Sequence, residues 1–277
     1  MTTMTTPTPP NQNAKKTILF LGATGGVALS ALRRSLAAGH TCIALCRTPA
    51  NLTAQLDHTT WSNLHIIQGD AHDASTLHAC LRTPATEDGK EGGRVVDTIV
   101  SSLGAKPTWK GISDAHVCEK GMVALLEALR RRRAEDGDGD GDGDAARGKK
   151  VVVPRLVAVT STGISDVARD VPLPLMMLYR ALLHTPHADK KAMEGLAVAA
   201  GKAGEVEWTF VRGSLYTNGP ETEGLVRVGV EDPVKGVVEK EAMGYTISRE
   251  DVGKWVFEEC LEGDGRQWVG KAAILTY

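Results

Sequence analysis

Residues 18–28 read ILFLGATGGVA, and the fold follows from this stretch. Ile18, Leu19, Phe20 and Leu21 form an unbroken apolar run ended by glycine, the pattern of a short parallel strand covered on both faces. From Gly25 to Ala38 apolar residues recur at helical spacing, and Gly39 stands where a left-handed C-terminal cap belongs. Between strand and helix lies Gly22-Ala23-Thr24-Gly25-Gly26-Val27. Gly22 and Gly25 allow a tight turn and close backbone approach to a pyrophosphate, while the small Ala28 lets the helix pack near the strand. The free N–H groups and positive dipole end of the helix then favour the anion.

The same alternation continues outward. Thr41–Cys46 and Leu64–Gln68 read as strands, Ala74–Leu81 as a helix, Val95–Ser101 as a strand, and Asp114–Arg133 as a long helix with arginines crowding its end. Beyond it come a strand at Val151–Thr160, a helical region over Leu173–Gly201, a strand at Trp208–Arg212, short strands near Leu225–Val230, a helix at Arg249–Leu261 and a last strand near Ala272–Thr276. Repeated βαβ units predict an α/β, Rossmann-type doubly wound parallel sheet with helices on both faces and a small C-terminal substrate-binding part. Residues 1–15 are rich in Thr, Pro and Asn and lack a hydrophobic period, so they are expected to form a disordered tail before a single domain over 16–277. The run AEDGDGDGDGDAARGKK at 134–150 has almost no apolar residue and reads as a disordered acidic insertion. Its Asp136, Asp138, Asp140 and Gly141 imitate the start of a calcium loop, but Arg147 stands where the bidentate glutamate is required, so no metal is expected.

Composition excludes several classes. Thirty-two basic and 34 acidic residues give a net charge of −2, which provides no field to recruit nucleic acid or an anionic membrane. The apolar stretch Val171–Leu183 carries two prolines and an arginine and is too short to span a bilayer. Five scattered cysteines without a CxxC pair read as reduced thiols, and the N-terminal stretch lacks a signal-peptide apolar core, so a cytoplasmic location is expected.

Specificity for the ribose 2′-position is read where the second strand ends. The sequence ALCRTP has no acidic residue there; Arg47 and Thr48 suit a 2′-phosphate through charge-assisted hydrogen bonds, which predicts NADP(H) rather than NAD(H).

The segments LGATGGVA (21–28), CRTP (46–49), IIQGDAHD (66–73), IVSSLGAKP (99–107), VAVTSTG (157–163), ADKKAMEGL (188–196), WTFVRGSLYTNGP (208–220) and ISREDVGKWVFEECL (247–261) occur in this order. Together they resemble the atypical short-chain dehydrogenase/reductases, in particular the NmrA-like and NAD(P)H-binding branch that includes biliverdin reductase B-type proteins. The resemblance covers nearly the whole folded chain. It implies Asp70 and Ala71 near the adenine, and Ser101, Ser102, Leu103 and Gly104 beside the nicotinamide-side ribose.

A typical member carries a Ser or Thr after the fifth strand and a Tyr-x-x-x-Lys pair on the next helix. Here the resemblance implies Ser161 or Thr162 for a carbonyl and Lys190 for the ribose, but the tyrosine position four residues before Lys190 is Pro186, which has no proton to give. His187 is the nearby candidate acid or base, with His184, Tyr179 and Tyr216 as further candidates. Val171–Leu183 is read either as the lining of a pocket for a small apolar substrate or as packing, within the core or across a homodimer. Three functions fit: an NADPH-dependent reductase of a small apolar carbonyl, quinone, imine or related unsaturated compound; a redox-neutral isomerase or cyclase; and an NADP(H)-sensing regulatory protein.

Overall fold

The computed structural model describes residues 14–84, 93–105, 107–108, 111–137 and 153–277. Its elements in chain order are β1 (Thr17–Leu21), α1 (Gly26–Ala37), β2 (Thr41–Cys46), α2 (Ala50–Thr53), β3 (Leu64–Gln68), α3 (Ala74–Cys80), β4 (Thr98–Ser101), the two-residue strands β5 (Pro107–Thr108) and β6 (Gly111–Ile112), and α4 (Val117–Gly137). They continue with β7 (Arg155–Ser161), α5 (Leu173–Leu182), α6 (His184–Lys202), β8 (Glu207–Gly213), β9 (Leu215–Thr217), β10 (Arg227–Asp232), β11 (Val237–Lys240), β12 (Thr246–Ser248), α7 (Arg249–Trp255) and β13 (Ala272–Thr276).

Nine strands form one sheet in the order β3-β2-β1-β4-β7-β8-β13-β10-β11, parallel from β3 through β13. This is the expected Rossmann-type sheet, with one difference at its edge. Strand β10 runs antiparallel to β13, and β11, joined to β10 by a short hairpin, runs antiparallel to β10. The expected small C-terminal part is the two-stranded pairing of β9 with β12.

Alternation along β1 builds both halves of the core. Ile18 and Phe20 face a cluster with Leu32 and Leu36 of α1 and Val252 and Trp255 of α7. Leu19 and Leu21 face the other, with Leu77 of α3, Leu125 and Leu129 of α4 and Met193 of α6. The strand is therefore buried on both sides, as its apolar run requires.

Helix ends follow local chemistry. Asp73 caps α3 by accepting from the Ser75 and Thr76 amides, and Ser248 caps α7 by accepting from Asp251. Gly39 takes the left-handed conformation expected after α1, at φ 82°. Helix α4 continues to Gly137, past the expected start of the acidic insertion, and Glu135 and Asp136 bond to His78 and Arg82. The rest of that insertion, 138–150, and tail residues 1–13 lie outside the described residues. The helical region after β7 breaks at Leu183 into α5 and α6. Pro186 falls in the first turn of α6, where a backbone N–H has no intrahelical partner to lose. Among the described residues no helix is long and apolar enough to cross a membrane.

Candidate functional site

Strands β1, β2 and β3 run to one edge and β4 starts the other half, so the strand order reverses between β1 and β4. A crevice opens there at the carboxyl ends of parallel strands. The turn after β1 is built to leave it open. Gly22 has φ 81°, and a Cβ on it would lie 2.5 Å from the Ser102 carbonyl oxygen, so only glycine lets the turn pass beside β4. The Gly25 amide donates to the Gly22 carbonyl at 2.9 Å, closing the turn just before α1. Ala28 is fully buried, as close helix–strand packing demands.

The crevice is a cavity of about 430 Å³, within the usual small-molecule range of roughly 300–1,000 Å³. Its walls include Gly22, Ala23, Thr24 and Gly25 from the first turn, Arg47 and Thr48 after β2, Asp70 and Ala71 after β3, and Ser102, Leu103 and Gly104 after β4. Four loops far apart in sequence thus converge. Among the described residues no neighbouring atom lies within 4 Å of where a Gly104 Cβ would be. Gly26, Val27 and Ser101, expected at this site, do not line it. Ser101 and Val27 are buried beneath it, and the Arg249 side chain covers Gly26, where a Cβ would meet its Cδ at 2.7 Å.

Arg47 is exposed at the rim of the crevice, and the residues that directly follow β2, Arg47-Thr48-Pro49-Ala50-Asn51, include no carboxylate. Leu45, Cys46, Asn51, Gly69, His72 and Val117 complete the walls and were not legible beforehand. His72 holds the third loop to the start of α4, its Nε2 3.1 Å from the Val117 carbonyl. Arg249 was also missed. Its guanidinium donates to Asn218 Oδ1 at 2.7 Å and lies over the Tyr216 ring, which brings a cation to the first turn of α1. All five cysteines are free and buried, and burial raises the Cys46 thiol above its ordinary range.

The second group of expected residues lies at the end of β7, which neighbours β4 in parallel, about one strand spacing of ~4.8 Å further along the same edge. Lys190 reaches back from α6, its Nζ 3.4 Å from the Val159 carbonyl. The preceding Asp189 is buried and accepts from the Cys118 and Glu119 amides at 2.9 and 2.8 Å, so it caps α4 and anchors this turn of α6. Both oxygens are engaged, and Glu119 pairs with His116, so these three residues, although their ligand atoms lie within 4.8 Å, are already satisfied by one another and the backbone. Ser161 Oγ is enclosed and has no hydrogen-bond partner among the described residues.

His187 packs against Tyr179 with ring centroids 5.3 Å apart. Gly163, at φ 89°, makes room for both: a Cβ there would lie 2.7 Å from His187 Cε1 and from Tyr179 Cδ1. Burial first, then the charges of Lys190 and His184, depress His187 to about 4. The neutral imidazole is thereby favoured, which weighs against His187 as the candidate acid. Burial raises the Tyr179 phenol above its ordinary range, outweighing the opposing influence of the Thr162 side chain, so it keeps its proton. Tyr216 is not available: its hydroxyl donates to the Thr160 carbonyl at 2.7 Å and accepts from the Gly213 amide.

Behind these groups lies a buried ionic network. Arg212 of β8 pairs with Glu194 of α6 and Glu231 of β10, both at 2.7 Å, and Thr160 donates to Glu194 at 2.8 Å. Glu194 is thereby a structural partner that ties α6 to the sheet.

A family model described as NAD(P)H-binding matches residues 22–262. The chain is 36% identical over 288 residues to Reductase pytE of Aspergillus terreus, covering 96% of this chain and 99% of the relative. It is 35% identical over 291 residues to Oxidase pynE of Aspergillus niger, covering 95% and 99%. Among solved structures, a wide-type short-chain dehydrogenase/reductase from Veillonella parvula in complex with NADP superposes with a TM-score of 0.63 at 14% identity over 95% of each chain. ChuY, an anaerobillin reductase from Escherichia coli, gives 0.59 at 16% identity, over 94% of this chain and 96% of its own. At such identities these two structures speak for the fold.

Proposed function

Because this chain belongs to the NAD(P)H-binding family, we propose that it is an NADPH-dependent reductase of a small apolar carbonyl or related unsaturated compound. The observation that carries the proposal is the glycine turn opening on a crevice at the strand switch point, with Arg47 at its rim and no carboxylate after β2. The relatives named reductase and oxidase support redox chemistry.

The residues present fit the cofactor. Gly22 and Gly25 leave backbone where an anion can approach, and Gly104 leaves open space on the opposite wall. Arg47 and Thr48 would bind the 2′-phosphate, the amides of Ala23 and Thr24 would serve the pyrophosphate before the head of α1, and Asp70 and Ala71 would border the adenine. Ser101 shapes the floor beneath Ser102, Leu103 and Gly104, which border the nicotinamide-side ribose. Lys190, held by the Asp189 anchor, binds that ribose. When bound, NADPH supplies the hydride. Ser161 Oγ is enclosed beneath the end of β7, so the Tyr179 phenol, which lines the neighbouring cavity and keeps its proton, is the group that would donate to a substrate oxygen. His187 supports the Tyr179 ring as a neutral imidazole.

Titrating the purified protein with NADPH and NADH, then following NADPH oxidation against a panel of carbonyls, quinones and imines, tests the proposal. Tighter NADPH binding with turnover of some panel member is expected. Tight binding without any turnover replaces the reductase by a redox-neutral or sensing role; no binding of either nucleotide refutes the site.

A further inference from the structure

None of the residues from Gly22 through Ala28 carries a charge, and α1 begins without a side-chain cap or an acidic residue in its first turn. The head of α1 is therefore a bare positive dipole end, equivalent to about half an elementary charge. A dinucleotide's diphosphate, with a negative charge on each phosphate, exceeds what that end offsets.

The fold brings a cation there from the far end of the chain. Arg249 opens α7, and its side chain lies across the first turn of α1: a Cβ on Gly26 would meet Arg249 Cδ at 2.7 Å and Cβ at 3.0 Å. Gly26 is not among the glycines with positive φ, so its backbone would accept an ordinary L residue. What requires glycine here is the room taken by the arginine stem. The neighbouring Gly25 lines the crevice, so that stem runs along the crevice edge.

The guanidinium is held but not neutralised by its partners. Nη1 donates to Asn218 Oδ1 at 2.7 Å and to the Tyr216 carbonyl at 3.3 Å, both neutral oxygens, and the group lies over the Tyr216 ring, 5.6 Å from its centroid. Nε and Nη2 carry further donors. Nearby carboxylates are engaged by other cations: Glu250 by Arg34, and Glu221 by Arg34 and Lys254. Arg249 is half-buried, so a ligand can reach it.

We propose that Arg249 is the cation for the diphosphate of the bound dinucleotide, contributed from α7 across Gly26 to the glycine turn. This rests on the crevice between β1 and β4 being the dinucleotide site, and it deepens that reading by giving the diphosphate a different arginine from the 2′-phosphate at Arg47. The Asn218 and Tyr216 contacts hold the guanidinium in place beforehand, which lowers the ordering cost on binding.

The test titrates the full chain with NADPH and NADH by fluorescence. Arg249→Gln keeps a polar side chain that can bond to Asn218 and removes the charge. Affinity should fall by about 10–100-fold, the effect of charge-assisted hydrogen bonds to a phosphate, and by the same factor for both nucleotides, since both carry the diphosphate. Arg249→Lys keeps a cation on a long stem and should recover most of the loss. A tie that served only the Asn218 loop would make the charge irrelevant, so the two variants would behave alike. In the wild-type protein, saturating NADPH or NADH should slow labelling of Arg249 by phenylglyoxal, read on its peptide by mass spectrometry, a measurement that needs no variant. A loss under about twofold in Arg249→Gln, equal losses in both variants, a loss confined to NADPH, or unchanged Arg249 labelling with either nucleotide overturns the proposal. Failure of the wild-type protein to bind either nucleotide overturns the crevice reading instead.

Discussion

Gly163→Ala should damage both stability and the site. At φ 89° an alanine sits in left-handed backbone, which costs about 1–2 kcal/mol relative to glycine. The added Cβ would lie 2.7 Å from ring atoms of both His187 and Tyr179, and neither ring is the free end of a flexible chain. Overpacking of this kind costs about 1–3 kcal/mol. The sum is roughly 2–5 kcal/mol, equivalent to a melting-temperature loss of about 4–20 °C at ~2–4 °C per kcal/mol. Urea denaturation followed by circular dichroism measures it as a lower midpoint at constant slope. Gly195→Ala is the matched control, since among the described residues nothing lies within 4 Å of its missing Cβ in the interior of α6. It should stabilise by about 0.5–1 kcal/mol through helix propensity. Equal midpoints for wild type and Gly163→Ala would refute the assignment of strain and close packing at this turn. The same variant should lower turnover more than NADPH affinity, because it displaces Tyr179 and leaves the crevice between β1 and β4 alone.

Arg47→Ala should lower NADPH affinity by about 10–100-fold, as expected for charge-assisted bonds to a phosphate, and leave NADH nearly unchanged; fluorescence titration of both nucleotides checks this. With His187 depressed to about 4 from 6.5, the unfolded chain binds more protons between those pH values, so stability falls as pH drops through that window. His187→Phe should flatten part of this slope, less than the full shift implies because the ring is partly exposed, and thermal melts from pH 4 to 7 measure it. Arg212→Met should cost about 3–5 kcal/mol by leaving Glu194 and Glu231 buried without their cation, and a change under ~1 kcal/mol in urea would contradict the network.

The strands β2, β3 and β13 fall where the sequence puts them, and β1 with its turn does as well, because apolar runs ended by glycine and turn residues are local signals. Most of the crevice was legible for the same reason: each of its loops directly follows a strand, and parallel strands end on one edge. The edge hairpin of β10 and β11 was less clear, since Arg227–Lys240 carries only short alternating patterns. The extension of α4 through Gly137 was hidden by acidic residues whose helical state depends on His78 and Arg82, more than fifty residues away.

The sequence by itself determined the repeated βαβ order, the glycine turn after β1 and the basic rather than acidic residue immediately after β2. Each is written within a few neighbouring residues. Tertiary structure alone decided that burial depresses His187, that Tyr179 from a different helix packs beside Gly163, and that Arg249 covers the head of α1. Burial and pairing set the properties of these groups. Both depend on which distant segments pack together, and no local spacing in the chain records that.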